Sequence, residues 1–465
     1  MFQKDAYKNV LMIGGGRSGV GAVHLLHQLD AGTGEVHVIL LEQNAQQTED
    51  KVRESLMPED KAFPEVIIGD FPEEKAKDLT MVVLSPAVPT DSPLAAQLRD
   101  AGLPILSEIE LAWQFEKGRV LAITGTNGKT TTTALVGEIM KAVNGAVHVV
   151  GNIGNAYARE AMETAEDSVS VAEISSFQLE CVHDFKPVVS AILNITPDHL
   201  NRHYTMENYA AIKEKIAMNQ DSSDTIVLNY CDEWLRPFGT ELMQKENAPQ
   251  VVWFSSGEKP ENGLWLSGSD IVRVRDGAQE RLMDVHDMHL VGVCNAENVM
   301  AAIAMTEAAG VPMETILKVA RDFPPVEHRI EFVREVDGVR YYNDSKATNP
   351  DAAIQGIRAM DRPTVLIGGG YDKKNTYDEW IEAFDGKVKE LVLIGQTAQD
   401  IAECARKHGV ENISFAETFR ECLDHCREAA EPGDAVLLSP ACASWGMFPD
   451  YEERGRQFKE YVKTL

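Results

Sequence analysis

Short apolar runs alternate with longer stretches of helical periodicity along the whole chain. The run "NVLMI" enters Gly14, Gly16 and Gly19, and "VGAVHLLHQL" then repeats its apolar positions with a helical period. That is strand, glycine turn, helix. "VHVILLEQN", "MVVLSPAVP" and "LPILSEIEL" read as further strands. The alternation restarts at "GRVLAITGTNGKTTTTALVGEIM" and continues through "SVSVAEISSFQLE", "VVSAILNITPDHL" and "DTIVLNY". "AENVMAAIAMTEAAG" and "METILKVARDF" follow as apolar-faced helices, until the two prolines of "FPPVEHR" break the pattern. A third series begins at about Val326, with "VRYYNDSKATNPDAAIQGI", "PTVLIGGGYDKK", "ELVLIGQTAQDIAECARKHG" and "DAVLLSPACASWGMF". Strands alternating with helices predict an α/β protein with parallel sheets. The 465 residues divide into three expected domains, 1–110, 111–325 and 326–465.

Composition narrows the function. Hydrophobic residues make up 44% and charged residues 25%, as in ordinary globular proteins. The formal net charge of −29 argues against a nucleic-acid partner, which needs a basic face, and against docking on anionic membranes. A phosphorylated substrate stays possible where a few cations and backbone N–H groups converge. The seven cysteines contain no CxxC pair, the count is odd, and the start of the chain does not read as a signal peptide. Free thiols in a reducing cytoplasm are the expectation. No apolar run approaches the ~18 residues of a membrane span.

Candidate chemistry gathers where apolar runs end. Gly125-Thr126-Asn127-Gly128-Lys129-Thr130 is a phosphate loop two residues shorter than GxxxxGK[ST]. Its backbone N–H groups and the following helix start form an anion cradle. Lys129 would reach the outer phosphates, and Thr130 would offer a hydroxyl to Mg²⁺. Glu173 closes one strand pattern and His199 follows another. Two strand ends beside a phosphate loop suit a cation that takes oxygen ligands, although each residue alone could be structural. Asp344 and Lys346 stand two apart after a strand, as a surface ion pair would also be. The glycine turn before Arg17, with Glu42 ending the next strand, fits three readings: a nicotinamide cofactor, tight strand–helix packing, or a nucleotide diphosphate on the helix start.

Taken together, GTNGKT, "GNIGN", "EISSFQLE", "NDSKATNPDA" and "SPACASWGMF" resemble the Mur ligases of peptidoglycan synthesis, and the last two point to the D-glutamate-adding branch. The resemblance covers nearly the whole chain. It implies an N-terminal Rossmann-like domain for a UDP-linked substrate, a central P-loop ATPase-like domain, and a C-terminal Rossmann-like domain that brings the amino acid. It implies that ATP phosphorylates the terminal carboxylate of UDP-MurNAc-L-Ala. D-Glutamate's amine then attacks the acyl phosphate through a tetrahedral intermediate. A related ligase adding another amino acid, such as L-glutamate, stays open, because the pocket residues do not reveal an enantiomer. The implied enzyme is a cytoplasmic monomer.

Carried over residue by residue, the resemblance makes Lys129, His199 and Lys213 catalytic. Thr130 and Glu173 match ligands of one Mg²⁺ and His199 a ligand of a second. Lys213 matches the lysine that the family carbamylates into a metal ligand. The ATP site takes Gly125 to Thr131 together with Asn295, Asn298, Arg329, Asp344 and Lys346. Arg17, Ser18, Asn152 and Ser175 match substrate contacts. Thr348, Lys373, Ser444, Trp445 and Tyr451 match the D-glutamate pocket, with a one-residue shift to Lys374 open.

Overall fold

A computed structural model describes residues 4–372 and 374–465. The chain divides into two compact units. The first runs to Leu282 and includes Asn298–Ala320, and the second comprises Met283–Glu297 and Arg321–Leu465.

The first unit opens with a five-stranded sheet of β1 (Asn9–Ile13), β2 (His37–Glu42), β3 (Glu65–Ile68), β4 (Met81–Leu84) and β5 (Ile105–Ser107). All pairs are parallel, in the order β3-β2-β1-β4-β5. The order reverses at β1, so the glycine turn lies at the switch point where open α/β sheets take ligands. Gly19 is required there, because a Cβ would stand 2.0 Å from the Gly14 carbonyl oxygen. "LPILSEIEL" is only partly the strand its pattern predicts. It is extended over Ile105–Ser107 and helical over Glu108–Trp113. Ser107 accepts from the Glu110 N–H and caps that helix, a local bond that outweighs strand periodicity.

The second sheet contains β6 (Arg119–Thr124), β7 (Val147–Gly151), β8 (Val169–Glu173), β9 (Val189–Ile192), β10 (Thr225–Asn229), β11 (Gln250–Ser255), β12 (Gly263–Ser267), β13 (Asp270–Arg275) and β14 (Ala278–Asp284). Their order is β14-β13-β12-β11-β10-β9-β6-β8-β7. β6 lies between β9 and β8, parallel to both. One apolar core runs through both sheets of this unit, from Val10 and Leu25 to Val120, Ile192 and Leu228. The helix Arg17–Ala31 meets Ala156 closely, where a Cβ on Gly21 would stand 2.8 Å from the Ala156 Cβ. The β13–β14 turn was not anticipated from the sequence pattern. Its signal was Asp276-Gly277, which adopt φ of 51° and 80°, the pair of left-handed residues that a tight hairpin turn takes.

The second unit holds β15 (Glu331–Val336), β16 (Val339–Asn343), β17 (Thr364–Gly368), β18 (Val388–Ile394), β19 (Ile413–Ala416) and β20 (Ala435–Leu438), in the order β15-β16-β20-β17-β18-β19. Among the described strands, only the β15–β16 pair is antiparallel. Apolar clusters cover both faces, around Trp380 and Leu393 on one and around Val392 and Phe458 on the other. Burial on both faces is why β17 and β20 read as continuous apolar runs.

Candidate active site

In the first unit, the register of the central sheet aligns the motifs. Glu173 is paired with Ile123 on one side and Gly151 on the other, and Thr124 is paired with Ile192. The phosphate loop, Glu173, "GNIGN" and the segment leading to His199 therefore leave the same edge of the sheet from adjacent strands.

The loop runs from β6 into the helix Lys129–Lys141. Gly125 has φ of 144° and Gly128 φ of 86°, both left-handed. A Cβ on Gly128 would stand 2.1 Å from Asn298 Oδ1, so glycine is required by conformation and by space. Asn298 Oδ1 also lies 3.4 Å from Thr132 Oγ1, which donates to it. The segment after β9 braces the loop. Asn127 N donates to Asn194 Oδ1 at 2.7 Å, Asn194 Nδ2 returns to Asn127 O at 3.2 Å, and Thr196 N donates to Thr126 Oγ1 at 3.0 Å. Tyr209 OH lies 3.2 Å from that hydroxyl. Sequence reasoning missed Asn194 and Thr196, although both lie in the quoted "LNITPD"; neither residue type signals a brace until β9 is set beside β6.

Cations crowd the loop. Lys129 Nζ donates to Gly125 O at 2.9 Å and to Thr126 O at 2.7 Å. Lys213 Nζ donates to Gly125 O at 2.8 Å and lies 4.6 Å from the Tyr209 ring centroid. Lys213 is 1% exposed. Burial, and then the neighbouring Lys129, hold its amine well below the usual lysine range, partly opposed by Asp198 and Glu173. A lysine on the helix Met206–Glu214 that reads as solvated is thus a buried amine whose charged form the surroundings disfavour.

Glu173 is equally buried, at 1%. Its Oε1 accepts from Asn152 Nδ2 at 2.8 Å, whereas Oε2 has no hydrogen-bond partner. Thr131 Oγ1 is also buried without one, while Thr130 is half-buried. Asn152 itself is exposed, and its carbonyl accepts from Arg17 Nη2 at 2.9 Å. Arg17 Nη1 reaches Gly154 O at 3.4 Å, and Ser18 sits half-buried beside it in the first helical turn. Ser175 is committed to a capping box with Gln178, its Oγ accepting from Gln178 N at 3.3 Å. His199 is exposed at φ 53°, with Nε2 3.5 Å from Asp198 Oδ2 and its ring edge-on to Phe177. Arg202 just beyond it forks onto Glu180, at 3.0 and 2.7 Å, and donates to Val88 O at 2.9 Å. Glu42 turns inward, its Oε2 accepting from Gly15 N at 3.2 Å.

The second unit repeats the arrangement. Asn343 is paired with Leu438, and Ile367 with the same Leu438, so "NDSK", "SPACAS" and "GGGYD" leave adjacent strand ends. Asp344 is 4% exposed and accepts from Ser439 Oγ at 2.7 Å and from Ile330 N at 3.2 Å. Burial pushes its carboxyl up to about 7, against the pull of Ser439 and Arg329. Arg329 Nε is buried with no hydrogen-bond partner. Lys346 Nζ stands 5.7 Å from the Tyr451 ring centroid, and the Thr348 N–H donates to Lys346 O. Ser444 is buried, while Trp445 is exposed and edge-on to Tyr371. Asn295 Nδ2 donates to Val291 O at 2.8 Å beside Cys294, whose thiol burial pushes up to about 12. Lys373 lies outside the described residues; Lys374 pairs with Asp372 at 2.8 Å. Arg454 is a residue that sequence reasoning missed. It donates to Ser345 Oγ, Ser345 O and Cys442 O and ties "NDSK" to "SPACAS" from the helix Tyr451–Lys463. Nothing in "YEERGRQ" distinguishes it from its exposed neighbour Arg456.

Comparison with known proteins fits this geometry. The model of the Mur ligase middle domain matches residues 123–306, and that of the Mur ligase, glutamate ligase domain matches residues 328–442. A Lachnospira eligens protein named UDP-N-acetylmuramoylalanine--D-glutamate ligase is 53% identical over 98% of this chain and 99% of its own. A protein of the same name from Lachnoclostridium phytofermentans is 49% identical, covering 98% of each chain. In fold, the chain is similar to the UDP-N-acetylmuramate-alanine ligase of Thermotoga maritima, with TM-score 0.60 and 20% identity over 98% of this chain and 99% of that one.

Proposed function

The chain belongs to the Mur ligase family, and we propose that it is the ATP-dependent ligase that joins D-glutamate to UDP-N-acetylmuramoyl-L-alanine in peptidoglycan precursor synthesis. The name carried by relatives at 53% and 49% identity supports the pair of substrates. The observation that carries the reading is the central sheet edge, where a buried Glu173 with one unpartnered oxygen adjoins the GTNGKT loop. In this reading residues 1–110 bind the UDP-linked substrate, 111–325 bind ATP and 326–465 bring the amino acid. The enzyme acts as a monomer.

A carboxylate is a poor acyl donor, so it is first phosphorylated. The γ-phosphoryl transfer needs positioning and cations along the phosphate oxygens more than covalent help. The N–H groups of Gly125 to Thr131 cradle the phosphates, and Lys129 exchanges the Gly125 and Thr126 carbonyls for phosphate oxygens. Asn295 and Asn298 hold the adenine, Asp344 the ribose, and Arg329 with Lys346 the phosphates.

The orphaned Glu173 Oε2 and the Thr130 hydroxyl are the hard oxygen donors that Mg²⁺ prefers. They would hold one ion, and His199 with carbamylated Lys213 would hold a second; bound there, Mg²⁺ supplies positive charge at the transferring phosphoryl group. Lys213 suits carbamylation because a neutral amine is what adds to CO₂. The N–C bond forms as one C=O bond of CO₂ becomes C–O⁻, one proton leaves to solvent, and the neutral amine becomes an anionic ligand. Arg17, Ser18, Asn152 and Ser175 contact the UDP-linked substrate. Thr348, Lys373, Ser444, Trp445 and Tyr451 hold D-glutamate, whose amine attacks the acyl phosphate. The tetrahedral intermediate expels phosphate, the amine gives up its proton, and the amide remains.

Incubation with UDP-MurNAc-L-Ala, ATP, Mg²⁺ and either D- or L-glutamate tests the reading. Phosphate release is expected only with the complete mixture and D-glutamate. Release that ignores the UDP-linked substrate, or prefers L-glutamate, would sink it.

A further inference from the structure

Away from every residue used above, the helices Asp378–Glu382 and Ala398–Lys407 pack side by side. Each carries donor side chains four residues apart: Asp378 and Glu382 on the first, Cys404 and the capping His408 on the second. Residues with that spacing share one helix face. His408 Nε2 lies 2.9 Å from Asp378 Oδ1, and His408 Nδ1 lies 3.7 Å from Glu382 Oε1. One donor atom each of Asp378, Cys404 and His408 lie within 4.8 Å of one another. Cys404 is 9% exposed, so its sulfur is held in place, and Asp378 also contacts the thiol.

We propose that Asp378, Cys404 and His408 form a binding site for Zn²⁺ or a comparable borderline transition-metal ion, with Glu382 orienting the imidazole. The sulfur, Nε2 and a carboxylate oxygen are three ligands, and a fourth position stays open to water. A histidine that ligates a metal through one nitrogen usually donates its other N–H to a carboxylate, and Glu382 Oε1, 3.7 Å from Nδ1, would accept it after a small side-chain shift. Two of the three donors, the Cys404 sulfur and the His408 nitrogen, are soft or borderline, unlike the oxygens at Thr130 and Glu173, so this site selects Zn²⁺ over Mg²⁺. Tetrahedral Zn²⁺ with bonds of about 2.0–2.3 Å needs ligand atoms roughly 3.5 Å apart. The 2.9 Å pair of His408 Nε2 and Asp378 Oδ1 must therefore open by about 0.6 Å and any wider pair, all within 4.8 Å, must close, and the exposed Asp378 and His408 side chains leave room for both. On binding, the thiol passes its proton to the buffer and the sulfur–metal bond forms.

Co²⁺ titration of the metal-free, full-length protein in Mg²⁺-containing buffer tests the proposal. One equivalent should bind, with a near-ultraviolet thiolate-to-cobalt band that Zn²⁺ displaces and excess Mg²⁺ does not. C404S should lose the band. D378N and H408A should each weaken Co²⁺ at least tenfold, and E382Q should weaken it about tenfold. D378N and E382Q change exposed side chains, so unaltered melting and ligase activity should accompany their effect on cobalt. Absence of the band in the native protein, or an identical band in C404S, which would put cobalt on another cysteine, overturns the site.

Discussion

Two buried ionisable residues carry the sharpest consequences of single side chains. Lys213 is disfavoured in its charged form by burial and by Lys129. Its folded-state pKa lies below the ordinary value of 10.5, so between those two values the unfolded chain binds more protons and stability rises with pH. At neutral pH the lysine is therefore a stability cost. Lys213→Met should leave the melting temperature at pH 7 unchanged or raised, since Gly125 O still accepts from Lys129, while activity falls by roughly 10²–10⁴-fold. Melting curves and phosphate release check the two halves separately. Glu108 shows the opposite sign. It is fully buried, its Oε1 accepts from Ala158 N, and burial pushes its carboxyl from 4.5 to about 7. The folded state then binds more protons between those values, so stability falls as pH rises through that window, by on the order of 3 kcal/mol when complete. Glu108→Gln should remove that slope, which urea midpoints at pH 5 and pH 8 would reveal. Neither behaviour is legible in "YAAIKEKI" or "LSEIEL", because burial belongs to the neighbours and not to the residue.

At the scale of elements, the phosphate loop depends on what surrounds it. Its six residues are recognisable alone, but their conformation is held by Asn194 and Thr196 from the segment after β9 and by Asn298 from a helix far along the chain. Gly128→Ala would combine a left-handed φ of 86° with a Cβ 2.1 Å from Asn298 Oδ1. The expected cost is about 1–3 kcal/mol in stability and at least tenfold in ATP affinity. Calorimetry on the single variant and on Gly128→Ala/Asn298→Ala should separate the two causes. The second substitution relieves the contact and leaves the backbone strain, so partial recovery of stability is expected, and none of ATP affinity, because in the proposed site Asn298 also holds the adenine. "LPILSEIEL" and the β13–β14 turn mark the other limit of element-level reading. One was predicted as all strand because capping by Ser107 is a single bond within an apolar pattern. The other was missed because its two-residue turn signal lies between strands of mixed polarity.

For the whole molecule, the dominant global quantity is the excess of 73 acidic over 44 basic residues, −29 in formal charge. Self-repulsion of that size destabilises compact states. Salt that shortens the screening length from about 30 Å to about 8 Å should raise the melting temperature, by about 1 °C for each kcal/mol of repulsion removed. A melting temperature that falls over the same salt range would mean that native ion pairs such as Arg202–Glu180 outweigh the excess charge.

The sequence by itself determined the α/β class, the parallel core of each sheet, the phosphate loop and the family resemblance, but not the antiparallel strands at the edges of the second and third sheets. Each feature it determined is written in local periodicity, in glycines that the backbone cannot replace, or in short runs of contiguous residues. Only the tertiary structure decided which strand ends lie side by side. That register places Glu173 between Ile123 and Gly151, leaves its second oxygen without a partner, and seals Lys213 against Gly125. It also brings Arg454 onto "NDSK" and "SPACAS", and places Asp378 against His408. Strand order and burial arise from packing between segments tens to hundreds of residues apart, and desolvation is set by everything that surrounds a group, so no local stretch of sequence contains them.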